Sequence, residues 1–137
     1  MKARPQRFEP IALATNDAEK EFSLSELDLM EDCLQLRVNV RSRGFSCSKP
    51  MMVDNVRHAV AALEELVTSL SGEVRLGAAY EDDEVVFEMN NRGQLFVRGR
   101  LVSYGELTQR LEFEFQTDQT ALVPFAREMR AFLKAAV

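Results

Sequence analysis

Leu34, Leu36, Val38 and Val40 alternate with Gln35, Arg37, Asn39 and Arg41. A run of period two sends successive side chains to opposite faces, so only a strand with one buried and one wet face satisfies it. The same period returns in Leu95, Val97, Gly99 and Leu101, set against Phe96, Arg98 and Arg100. It returns again in Leu111, Phe113 and Phe115, set against Glu112, Glu114 and Gln116. Val85, Phe87 and Met89 form another such run, and Val74, Leu76, Ala78 and Tyr80 one more. Phe22 to Leu29 reads as a strand whose phase slips near Glu26, and Phe45-Ser46-Cys47 as a short one. One-sided strands of this kind belong to antiparallel sheets. Turn chemistry falls between them at Ser42-Arg43-Gly44, Glu81-Asp82-Asp83-Glu84, Asn90-Asn91-Arg92-Gly93 and Ser103-Tyr104-Gly105-Glu106, where Asn and Gly tolerate positive φ.

Two segments change to a helical period. Val53, Val56, Val60, Leu63, Val67 and Leu70 form one stripe, widened by Ala59, Ala62 and Leu66. Pro50 is placed near the start of this helix, where a missing N–H costs little, and Gly72 follows its end. The second helix carries Leu122, Phe125, Met129, Phe132 and Leu133. Pro124 is expected in its first turn, because an interior proline costs about 3 kcal/mol. The resulting order is strands, helix, four strands, helix. It predicts an α+β fold: one antiparallel sheet of about six to seven strands with two helices packed on one face. No internal repeat is visible. Residues 1–20 contain prolines and hold no sustained period, so they read as a flexible N-terminal arm, with order expected only around Phe8 to Leu13. Residues 21–137 form a single domain, as the 137-residue length suggests.

Charge and reactive residues narrow the function. The chain has 17 basic and 22 acidic residues, a net charge of −5. A binder that neutralises phosphates wants a basic surface, so no nucleic-acid partner is expected. The apolar stretch nearest the basic start is Ile11-Ala12-Leu13-Ala14, four residues. That is too short for a signal-peptide core or a membrane span, so a cytoplasmic protein without a membrane partner is expected. One histidine and two cysteines exclude most catalytic and metal sets. Neither a P-loop nor G-x-S-x-G, H-E-x-x-H or G-x-G-x-x-G occurs. No metal and no cofactor is expected. Cys33 and Cys47 read as free thiols of a reducing compartment. A Cys47–His58 dyad requires a contact that spacing does not reveal.

What remains are surfaces. Glu81, Asp82, Asp83 and Glu84 place four negative charges in one turn without an evident counter-charge. They are read as a solvated hairpin tip or as an acidic contact patch for a basic partner. Arg98 and Arg100 should face Glu112 and Glu114 across a hairpin, either as structural pairs or as part of a recognition surface. Phe96 interrupts that charged face and is left needing cover. Thr117-Asp118-Gln119-Thr120, at a strand-to-helix junction, reads as a helix cap.

Leu34-x-Leu36-Arg37-Val38, Gly44-Phe45, a helix ending before Gly72, and Gly93-x-Leu95-x-Val97-x-Gly99-x-Leu101 together make a pattern. With Phe115-x-Thr117-Asp118-Gln119-Thr120-x-Leu122, it resembles the WapI-type immunity proteins and related small bacterial proteins over about residues 20–137. The chain departs from that pattern in having no tryptophan and in carrying Gln94 where related sequences often show a histidine. The resemblance implies a cytoplasmic protein that binds and neutralises a cognate toxin; the lack of catalytic sets adds a non-enzymatic role and the acidic balance a basic toxin domain as partner, with monomer and homodimer both open. The expected contacts are Glu81, Asp82, Asp83, Glu84, Phe96, Glu112 and Glu114. The rival reading is a small ligand-binding or accessory module whose site lies either between helices and sheet or at a homodimer surface around Phe96.

Overall fold

Tight turns set the strand boundaries. In a computed structural model that describes residues 4–15 and 17–135, Lys20–Met30 (β3) turns through Glu31 and Asp32 into Cys33–Ser42 (β4). Strand β4 turns through Arg43 and Gly44 into Phe45–Asp54 (β5). Arg43 and Gly44 both have positive φ, 52° and 88°. That is the backbone of a two-residue turn whose twist matches the strands it joins. Two short segments, Gln6–Arg7 (β1) and Ile11–Leu13 (β2), pair antiparallel with β3. Helix α1 follows at Val56–Ser69. Then come Gly72–Gly77 (β6), Glu84–Met89 (β7), Gln94–Ser103 (β8) and Gln109–Asp118 (β9), and finally helix α2 at Gln119–Lys134.

The α+β class and the element order agree with the sequence expectation. The sheet count differs. Instead of six or seven strands in one sheet, the described residues hold nine strands in two antiparallel sheets. The first is β1 and β2 on β3, then β4, then β5; the second is β6-β7-β8-β9. Alternation reports that a strand has a buried face but not which sheet covers it. Each sheet is a meander followed by a helix, so the topology repeats although the sequence does not.

The two inner faces share one core. Phe22 of β3 meets Phe87, Phe113, Phe115 and Phe125 with ring centroids 6.0–6.5 Å apart. It thereby joins the first sheet to β7, β9 and α2. Helix α1 packs on α2 and β6, and α2 reaches back to β2. The phase slip expected near Glu26 is a bulge. Glu26 has φ 51°, the pairing register shifts between Ser25 and Asp28, and Leu27 and Leu29 return to the core.

Several expectations are corrected. Phe45-Ser46-Cys47 is only the start of a ten-residue strand, and Val53 is a strand residue rather than the first of the helical stripe. The inward face of β5 reads Cys47, Lys49, Met51, Val53, and the lysine conceals the period. Pro50 therefore lies in β5, an edge strand, where its missing N–H need not break a ladder bond. Pro124 lies in the second turn of α2, because Asp118 caps the helix and Gln119 starts it. Residues 6–13 of the expected arm run along β3, and Ile11 and Leu13 are buried in the core.

Candidate functional site

The outer face of the β6–β9 sheet gathers charge in cross-strand rows. One row is Arg75, Val86, Arg98, Glu114; the next is Gly77, Glu84, Arg100, Glu112. A third row, Glu73, Glu88, Phe96, Gln116, carries the half-buried phenylalanine among polar neighbours. Directly opposed side chains in such rows stand close enough to pair.

The register places Arg98 opposite Glu114 and Arg100 opposite Glu112, as the sequence predicts. The ion pairs run the other way. Arg98 contacts Glu73 and Glu88, each at 3.3 Å. Arg100 reaches Glu84 at 3.8 Å and donates to the Asp82 carbonyl at 3.2 Å, while Arg75 contacts Glu84 at 2.6 Å. The glutamates of β6 and β7 on this face therefore hold the arginines. Glu112 and Glu114 on β9 are exposed and, among the described residues, have no ion-pair partner. A shallow cleft of about 410 Å³ runs between Glu84, Arg98, Arg100, Glu112 and Glu114.

The acidic turn does not present four free charges, and its counter-charges are local in space although remote in sequence. Asp83 is 6% exposed. Its Oδ2 lies 2.6 Å from Lys49 Nζ, and its Oδ1 accepts the Val102 backbone N–H at 2.8 Å. Lys49 Nζ also donates to the Val102 carbonyl at 2.8 Å. Lys49 belongs to the first sheet and Val102 to the second, so this pair ties the sheets together. Asp83 is thereby unavailable as a surface contact. Glu84 is held by Arg75 and Arg100, and Asp82 accepts from the Tyr104 hydroxyl. Glu81 remains exposed. Sequence reasoning missed Lys49, Glu73 and Glu88, because no local signal identifies a partner on another strand.

The polar tetrad caps α2 as expected: the Asp118 side chain accepts the Ala121 N–H and the Thr120 hydroxyl. The Cys47–His58 dyad does not assemble. Cys47 lies near one end of β5 and exposed His58 beyond the other, a strand run of seven residues or roughly 23 Å. Burial pushes the Cys33 thiol up, reinforced by the charge of Asp54. Burial also raises Cys47, against the opposing charge of Lys49. Both thiols are thus held in their protonated, weakly nucleophilic form at neutral pH. Among the described residues no cluster of three His, Cys, Asp or Glu side chains suits a metal ion, and no helix is long and apolar enough to cross a membrane.

A family model for the immunity protein WapI-like family matches residues 11–136. No curated protein matches the chain. Among solved structures, the crystal structures of Trypanosoma bruciei MRP1/MRP2 superpose with a TM-score of 0.53 at 13% identity. That match covers 98% of this chain and 86% of the other, a similarity of fold alone.

Proposed function

The chain belongs to the WapI-like immunity protein family, and from that premise we propose that it binds and neutralises a protein toxin without chemistry of its own. The contact surface is the outer face of the β6–β9 sheet, and the toxin presents a basic patch to it. The observation that carries this reading is the state of Glu112 and Glu114. They are exposed carboxylates on a face where Glu73, Glu84 and Glu88 are already matched by arginines. Unmatched charge at a rim steers a partner of opposite charge and selects against the wrong one. Phe96, half-buried two residues from Arg98, supplies the apolar element of the same face. Glu81 and Asp82 border it, whereas Asp83 serves the fold.

The test is to sequence the genes flanking this one and to co-express the protein with any toxin domain they encode. The wild type should restore growth and form a complex with it. Glu112→Lys combined with Glu114→Lys should weaken binding about tenfold, slow association and flatten its dependence on salt. Full protection with unchanged kinetics would remove this face from the interface. No complex with the wild type would overturn the immunity reading.

A further inference from the structure

The two sheets end differently. At one edge of the first sheet β1 and β2 are only two and three residues long, and at the other β5 carries Pro50. At the second sheet β6 has six residues and packs beside β5 and α1. These are ordinary ways of blunting an edge. Strand β9 is neither short nor interrupted by proline, although it touches α2 and carries charged side chains. It runs ten residues without proline, pairs with β8 in unbroken register from Gln109 to Asp118, and has no second strand partner among the described residues. Its outer edge therefore offers a row of backbone N–H and C=O groups to an incoming chain.

A trough of about 240 Å³ lies along that edge, lined by Val40, Arg43 and Phe45 of the β4–β5 hairpin and by residues 111–114 of β9. Four consecutive residues of a strand point to both faces in turn, so a cavity touching all four lies at the strand's edge rather than on a face. No β8 residue lines it, so it is the free edge. Phe45 is 68% exposed there, and Leu111 and Phe113 are half-buried. An added strand would find apolar seats on its inward side and Glu112 and Glu114 on its outward side.

We propose that an extended, basic segment of the toxin adds to β9 as a fifth strand, with alternate lysines or arginines over Glu112 and Glu114 and alternate apolar residues in the trough. The identity of the donor rests on the immunity reading. Backbone pairing supplies affinity in such strand addition and the alternate side chains supply selectivity. A second copy fits less well: two β9 edges related by a two-fold axis through Phe113 would set Glu112 against Glu114.

The probes are two ten-residue peptides, one alternating lysine and valine and one alternating glutamate and valine, added to the intact protein. Backbone amide exchange is followed by NMR residue by residue. The lysine peptide should bind and slow exchange at the outward amides of residues 109–118, and the glutamate peptide should do neither. Glu112→Gln with Glu114→Gln, which removes both charges without setting a lysine opposite Arg98 or Arg100, should raise the Kd of the lysine peptide about tenfold. Binding that leaves β9 exchange unchanged would overturn the proposal. So would a dimer in sedimentation with β9 already protected before peptide is added. Because these peptides contain no toxin, docking at β9 with no protection of cells would overturn the immunity reading and leave the edge site standing.

Discussion

Asp83 is a charge placed where charge is expensive, and its surroundings show how it is tolerated. It has an ammonium at 2.6 Å on one oxygen and a backbone N–H at 2.8 Å on the other, so each oxygen has a donor. Asp83→Asn should leave Lys49 without its counter-ion and lower stability by about 2–4 kcal/mol in denaturant unfolding. Pairing it with Lys49→Met should restore part of that loss, the sign of a direct coupling. Gly99 makes a different residue-scale argument. A Cβ there would stand 2.4 Å from the Phe113 ring opposite it. Gly99→Ala should therefore cost about 1–3 kcal/mol by overpacking, and combination with Phe113→Leu should recover most of the lost Tm. The sequence placed Gly99 on an apolar face, but only the register identifies the ring that occupies its space.

Turns and helix ties act at the scale of elements. Arg43 occupies a left-handed position that asparagine takes more readily, so Arg43→Asn should raise stability by about 1 kcal/mol, read from the shift in unfolding midpoint. Helices α1 and α2 are tied by Arg130, whose Nε and Nη2 lie 3.1 and 2.5 Å from Glu64 Oε1. The hydrogen bond from Arg130 holds the Glu64 carboxyl below its ordinary titration range. A depressed folded-state value stabilises the protein at pH above the unfolded value and loses that effect as pH falls through the folded one. The Tm gap between wild type and Glu64→Gln should therefore be widest near neutrality and close in acid. The strands were legible wherever alternation was clean, as in β4, β8 and β9, and the bulge at Glu26 was legible as a slip of phase. Strand β5 was obscured, because inward Lys49 has the wrong polarity for its face and Pro50 imitates a helix start.

At the scale of the molecule, two meander-helix units close on one core, and the N-terminal segment is part of that closure. Ile11 is fully buried and Leu13 nearly so. Removing residues 1–10 should leave a cooperative fold, whereas Ile11→Ala in the full chain should cost about 2–5 kcal/mol in equilibrium unfolding. Equal losses from the two changes would show that β1 matters as much as the core residues. The candidate face depends on the same closure. Each acidic residue on it was visible as a residue, but its availability was not: Asp83 is buried by a lysine 34 positions away, and Glu112 and Glu114 are left over because their facing arginines turn to β6 and β7. By itself, the sequence determined the α+β class, the order of the elements and which residues of β4, β8 and β9 share a face, because periodicity is a local property of the chain. Only the tertiary structure decided that there are two sheets, which charges are neutralised and which strand edge stays open, because those depend on partners that the chain brings together from a distance.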